Sequence, residues 1–263
     1  MLNVIKKFKR INPTQLHMSY LNLYNKNINE DTMLKQSFFL KKEILIRLSH
    51  NIFNLLNLPY GLPEKKNISN EINSHIYSFN KVKSFNKINL NNNENFIKLL
   101  NNIKQKNSNL EYNISESISD LSNINLINLQ KINISLDTIF MLNIGIKTLI
   151  EQHNSMYFCD RSIINNCNIN KIINNVCDDV NEISNKIYNK NIKFKIFSYT
   201  IINTTYIPHH IYYIVNEIIK NAVVSHFINN IDKPIEINIF KGKENIIIKI
   251  SDYGKGFVRS EYD

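Results

Sequence analysis

The sequence predicts two folded parts: an N-terminal all-α four-helix bundle and a C-terminal α+β sandwich, in a two-domain chain. Three observations carry this. Four stretches with apolar residues at three- and four-residue steps are separated by short or polar connections. After Phe158 the periodicity changes to an order of helix, strand, helix and hairpin. The last of these strands runs into Ile250-Ser251-Asp252-Tyr253-Gly254-Lys255-Gly256-Phe257, an acid followed by two spaced glycines.

The first helix spans Thr32 to Leu58, where Leu34, Phe38, Leu45, Leu48, Ile52 and Leu55 build one apolar stripe before Pro59, Gly61 and Pro63 stop it. A second helix begins near Ile68 and runs past Phe79, and a third starts at Phe96 to Ile103, after the break Asn91-Asn92-Asn93. Asn107 to Asn123 is polar and reads partly as loop. The fourth helix, Leu136 to Phe158, carries Ile139, Phe140, Leu142, Ile146, Leu149 and Ile150 on its apolar side. This face reads as core. Asn165 to Asn168 is an Asn-rich break and a domain boundary. Ile169 to Tyr188 is helical, and Ile192 to Tyr199, read as alternating through Ile192, Phe194, Ile196 and Phe197, predicts a strand, with a short one at Thr204 to Tyr206. Pro208 pre-sets a helix start. Ile235, Ile237 and Ile239 alternate with Glu236 and Asn238, and Ile246, Ile248 and Ile250 form the partner strand across Lys241-Gly242-Lys243-Glu244-Asn245.

Composition excludes several function classes. The net charge of +10 raises nucleic-acid or membrane-surface binding. The lysines, however, are scattered among Asn and Ile, and Asn makes up roughly a sixth of the chain, far above average usage. No Arg/Lys stripe interleaves with aromatics, so the charge reads as a solvated, codon-biased surface. Cys159, Cys167 and Cys177 lack C-x-x-C spacing and read as reduced thiols, and His209-His210 is the one adjacent histidine pair, without metal-ligand spacing. No apolar run reaches the length of a transmembrane helix. Residues 1–30 stand apart: Lys6, Lys7, Lys9, Arg10 and Lys26 precede the first acid, Glu30, and Leu2, Ile5 and Phe8 fall near one helix face. A basic, acid-poor, amphipathic start resembles an organelle transit peptide, with a disordered basic tail as the other reading.

On the helix from His209 to about Asn229, Ile211, Ile214, Val215, Ile218, Ile219 and Ala222 define the expected buried face. Tyr213, Glu217, Lys220, Asn221 and Val224 lie opposite, with Glu217 and Asn221 neighbours at i, i+4. Alone this is an ordinary solvated face. The hairpin alters that, because Asp252 at a strand end can accept from an exocyclic amine such as adenine's, and glycines beside it let the backbone approach a ligand. A lone D-x-G-x-G is weak, since turns use those residues constantly. E-x-x-x-N helix, hairpin and D-x-G-x-G in that order is far more specific.

At this point the chain resembles the mitochondrial 2-oxoacid dehydrogenase kinases, the pyruvate and branched-chain 2-oxoacid dehydrogenase kinases of the GHKL ATPase superfamily. Phe39-Leu40-Lys41-Lys42-Glu43-Ile44-Leu45-Ile46-Arg47-Leu48-Ser49-His50 is similar to the family's F-L-x-x-E-L-P-I-R-L-A-H helix, and Leu58-Pro59 to the L-P after it. Phe140-Met141 through Ile144-Gly145-Ile146-Lys147, Leu149-Ile150 and Gln152-His153 resemble the helix before the catalytic domain. Tyr206-Ile207-Pro208-His209-His210 and Glu217-Ile218-Ile219-Lys220-Asn221-Ala222 resemble Y-V-P-x-H and E-x-x-K-N-A, and Ile248 to Gly256 resembles I-K-I-S-D-x-G-x-G. The resemblance covers nearly everything after about residue 30. It implies a four-helix docking and regulatory bundle over residues 31–160 and an incomplete GHKL (Bergerat-type) ATP-binding domain over residues 165–263.

The resemblance also implies roles: Glu217 as the general base for a substrate serine, Asn221 as a Mg²⁺ ligand, Asp252 as the adenine acceptor, Gly254 and Gly256 as the loop against ATP, and Lys220 as a phosphate contact or a solvated lysine. The implied activity is transfer of the γ-phosphoryl group of ATP to, and inactivation of, the E1 subunit of a 2-oxoacid dehydrogenase in the mitochondrial matrix. Docking on the E2 lipoyl domain and a homodimer are implied with it. Tyr213 stands where the family has a His one turn before the Glu, Val224 replaces an Arg, and Leu45 a Pro. The second glycine-rich box and ATP lid lie outside the seven residues after Gly256, so the expectation is a fragment rather than a degenerate kinase. The other classes weighed are a binding protein that keeps only the lipoyl-domain interaction and a sensor-type histidine kinase remnant with His50 or His153 as phosphoacceptor.

Overall fold

The computed structural model describes residues 2–18, 21, 29–119, 126–159 and 163–256. Side chains at 2, 126–131 and 159 are outside this description, as are the expected roles of Lys26, Cys159 and Phe257. Two compact units follow one another, residues 1–163 and 164–263.

The first unit is helical: α1 (Leu2–Lys9), α2 (Glu30–Leu56), α3 (Lys66–Ser84), α4 (Asn93–Lys106), α5 (Leu110–Ser119) and α6 (Leu126–Cys159). Some of the asparagines that dominate the composition cap helices. Asn29 caps α2 by accepting from Thr32 N at 2.8 Å, and Asn89 and Asn92 form a reciprocal capping box before α4. Short polar side chains that bind nearby backbone groups favour such positions. Helix α2 is the centre of the unit, packed by α1, α3 and α6. Being surrounded, it buries more than one stripe: Gln36, Ser37, Glu43, Arg47, Ser49 and Asn51 are buried beside Leu40, Ile44, Leu48 and Ile52. Phe38, expected in the stripe, is instead 45 % exposed.

Two further expectations change here. The polar stretch after Asn107 contains helix α5, held because Leu110 and Ile114 enter the core and Asn113 Nδ2 donates to Glu71 Oε1 at 2.6 Å. Helix α6 starts ten residues before Leu136, and its Ile132–Phe158 portion is long and apolar enough to cross a membrane by length and composition. That apolarity has a core use, because Ile139, Ile146, Leu149 and Ile150 are buried together with Asn143, Gln152 and His153.

Burying charge inside this unit requires partners. Glu43 and Arg47 are both buried, and Glu43 accepts from Thr14 N (3.2 Å) and Thr14 Oγ1 (2.6 Å) while Arg47 Nη2 donates to Thr14 O (2.7 Å). Together they fasten the segment after α1 to α2. Gly145 on α6 gives the guanidinium room, since a Cβ there would meet Arg47 Nη1 at 2.6 Å. His153 bridges Gln36 Oε1 (3.2 Å) and Ser37 Oγ (3.3 Å), and burial pushes its pKa down to about 4. A ring this enclosed is not a phosphoacceptor, and His50 is engaged with Ile11 O at 2.9 Å.

The second unit is α+β: β1 (Asn165–Asn168), α7 (Ile169–Tyr188), β2 (Phe194–Ser198), β3 (Asn203–Tyr206), α8 (Pro208–Ile228), β4 (Ile235–Lys241) and β5 (Ile246–Ser251). The Asn-rich break expected at 165–168 is strand β1, paired antiparallel with β3. Its last residue, Asn168, also caps α7 by accepting from Lys171 N at 2.9 Å. The main sheet has the order β2-β4-β5. β2 runs parallel to β4, with Ile196 opposite Ile237, and β4 pairs antiparallel with β5, with Ile239 opposite Ile248. A parallel pair needs a long crossover, which α8 supplies. Ile235, Ile237 and Ile239 bury one sheet face against Ile173, Val176 and Val180 of α7 and Val215, Ile219 and Ala222 of α8.

Candidate functional site: the α8 face and the glycine turn

Helix α8 begins with Pro208 in its first turn, where a missing N–H costs nothing. Its buried residues are Val215, Ile219, Ala222, Val223 and His226, a single narrow stripe. Ile214 and Ile218, expected in that stripe, are 53 % and 46 % exposed. The helix packs on the sheet and α7 along one side only, so the stripe is narrower than the apolar positions suggested. Ile214, Ile218, Tyr213 and Val224 therefore form an exposed apolar surround on the face that carries Glu217 and Asn221.

Glu217 Oε1 accepts from Lys220 Nζ at 2.6 Å, with both side chains about two-fifths exposed. A carboxylate so placed can exchange this partner for another at little cost. Tyr213 makes no hydrogen bond to Glu217 among the described residues. Asn221 is exposed and, among the described residues, its amide is without a hydrogen-bond partner.

Strand β5 delivers the second half of the site. Ser251 sits opposite Glu236 at the start of β4, and the chain then turns. Gly254 N donates to Asp252 Oδ1 at 2.6 Å, which closes the turn and leaves the other carboxylate oxygen to a ligand. Gly254 lies against α8: a Cβ there would meet Ser225 Oγ at 2.0 Å. Only glycine fits. Gly256 takes φ +66°, the left-handed region that favours glycine. Lys233 Nζ lies 4.4 Å over the Tyr253 ring and steadies the outside of the turn. His226, buried beneath it, has its pKa lowered by burial, with Asp252 acting in the opposite sense.

The contact of Ser225 with Gly254 joins the sequence motifs in space. Along α8, Ser225 is one turn beyond Asn221 and two beyond Glu217, about 12 Å of helix axis for the eight residues from Glu217. Asp252 and Gly254 are therefore at one end of a row whose other end is Glu217. No sequence motif singles out Ser225, whose one signal is its place four residues after Asn221.

Comparisons with known proteins show which family the chain belongs to. Residues 15–175 match the family model described as mitochondrial branched-chain alpha-ketoacid dehydrogenase kinase, and the chain belongs to that family. It is 25 % identical over 269 residues to a mitochondrial pyruvate dehydrogenase (acetyl-transferring) kinase of Arabidopsis thaliana, covering 97 % of this chain and 74 % of that protein. A Drosophila melanogaster kinase of the same name is 24 % identical over 97 % of this chain and 68 % of its own length. The human isozyme 4 is 24 % identical over 96 % and 67 %. The family match ends before α8, whereas the alignments to these relatives cover nearly the whole chain.

Proposed function

We propose that the chain is an ATP-dependent protein-serine kinase of a mitochondrial 2-oxoacid dehydrogenase complex, acting in the matrix on the E1 subunit and inactivating it. The second unit is then the nucleotide-binding part of a GHKL domain. Helices α2, α3, α4 and α6 are the four-helix bundle that docks on the E2 lipoyl domain, and the working form is a homodimer. The observation that carries the reading is the packing of Gly254 on Ser225, which aligns Asp252, Asn221 and Glu217 along one helix face.

Each residue then has a task. Asp252 accepts from the adenine amine, because its carboxylate is held by Gly254 N and faces away from the core. Asn221 fits a Mg²⁺ site, since that ion keeps waters and phosphate oxygens and asks for only one or two protein oxygens. Bound there, the ion would neutralise phosphate charge. Glu217 takes the proton of the substrate serine, and Lys220, already within 2.6 Å of it, moves to phosphate or stays as its counter-charge. Phosphoryl transfer asks the protein mainly for positioning and charge stabilisation.

The test is transfer of labelled γ-phosphate from Mg-ATP to a serine of purified E1, with lipoylated E2 present. Transfer that disappears in Glu217→Gln supports the reading. Capture of E2 without Mg-ATP binding or transfer would leave a docking protein only.

A further inference from the structure

Ser225 belongs to no motif read in the sequence, yet it is the α8 residue that meets the glycine turn. A Cβ at Gly254 would lie 2.0 Å from Ser225 Oγ and 2.7 Å from Asp252 Oδ1. Both oxygens therefore lie close to Gly254, and because Oδ1 already accepts from Gly254 N at 2.6 Å, the Ser225 hydroxyl and the remaining carboxylate oxygen of Asp252 are the groups left beside the turn. Ser225 is half-buried, and its hydroxyl oxygen accepts a long contact from Asn229 Nδ2 at 3.4 Å. Among the described residues its own proton is donated to no acceptor. A hydroxyl rotates to suit its partner, while an ionised carboxylate only accepts.

A fixed acceptor beside a free donor is complementary to one part of a purine. In adenine the exocyclic amine donates, and the ring nitrogens next to it, N1 and N7, accept. We propose that Ser225 is a base-reading residue of this site: its O–H donates to the ring nitrogen beside the amine that Asp252 accepts. This rests on the nucleotide-site reading given above and adds a second, independent hydrogen bond to it. Hypoxanthine carries a carbonyl in place of the amine and presents an acceptor to Asp252, so the pair selects ATP over inosine triphosphate. Sites built to hydrogen-bond a group reject analogues that leave a polar partner unmatched.

A purely structural alternative exists, in which Ser225 only packs against Gly254. Calorimetric titration of the 263-residue chain and of Ser225→Ala with Mg-ATP, 1-deaza-ATP and 7-deaza-ATP separates the two. One neutral hydrogen bond corresponds to about a 3- to 10-fold weaker affinity for ATP in Ser225→Ala. The proposal expects this penalty to vanish with one of the two deaza analogues, which lacks the acceptor. An equal penalty with all three nucleotides overturns it in favour of packing, and no penalty with ATP overturns it outright. If the unsubstituted chain binds none of the three, the nucleotide reading fails first and takes this inference with it.

Discussion

Glu43–Arg47 and Glu217–Lys220 are both acid–base pairs within a single helix, and they do opposite things. The first is long, 3.5 Å from Arg47 Nε to Glu43 Oε2, but its side chains are only 7 % and 3 % exposed. The second is short, 2.6 Å, and two-fifths exposed. Burial outweighs distance. Breaking a buried pair strands a charge at a cost of about 3–5 kcal/mol, whereas an exposed pair contributes about 0–1 kcal/mol. Burial alone holds the Arg47 pKa below its ordinary value, with Glu43 opposing. The helical unit thus uses charge to fasten a segment in place, whereas the α+β unit keeps its pair at the solvent-exposed surface of a helix.

The difference can be broken most forcefully at Glu43. Glu43→Leu removes the acceptor of both Thr14 donors and the counter-charge of Arg47, and urea unfolding should report a loss of about 3–5 kcal/mol. Acid comes next. His153 has its pKa at about 4 in the fold against about 6.5 unfolded, so the native state binds its proton less readily. Its contribution is complete above about pH 6.5 and is lost as pH falls toward 4, roughly 3 kcal/mol in all. In His153→Gln the slope of stability against pH over that window should flatten. Gly145→Ala is smaller. Helix propensity would favour Ala by about 1 kcal/mol, but overpacking against Arg47 costs about 1–3 kcal/mol, so melting should show a net loss below that of Glu43→Leu. Smallest of all is Glu217→Gln, expected within about 0.5 kcal/mol of the parent in the same melts. Its phosphoryl-transfer rate should nonetheless fall by about 10²–10⁴ if it is the general base. Equal melting effects at Glu43 and Glu217 would remove the distinction.

Much of the fold is legible in the amino-acid sequence. Periodicity places α2, α3, α4 and α6, and the alternation of Ile235, Ile237 and Ile239 places β4 with its inner face correct. Three things are not legible. The buried face of α8 is narrower than its apolar positions, because sequence shows which residues are apolar but not how many neighbours a helix will have. α2 departs the other way, with neighbours all round burying Glu43 and Arg47. Asn165–Asn168 and the stretch after Asn107 look like loops by composition, while strand pairing with β3 and the anchors Leu110 and Ile114 override local preference. At the site, Glu217, Asn221, Asp252, Gly254 and Gly256 come from motif order. Ser225 does not, because its contact with Gly254 joins residues 29 positions apart along the chain.

The central claim is that Asp252 and the Glu217–Asn221 face form one nucleotide site, and Mg-ATP binding tests it most directly. Calorimetric titration of the full chain, of Asp252→Ala and of Asn221→Ala should give measurable binding for the first. Asp252→Ala should lose ATP with or without magnesium, and Asn221→Ala should lose it only when magnesium is present. Unchanged affinity in both variants, with the chain folded, would contradict the account.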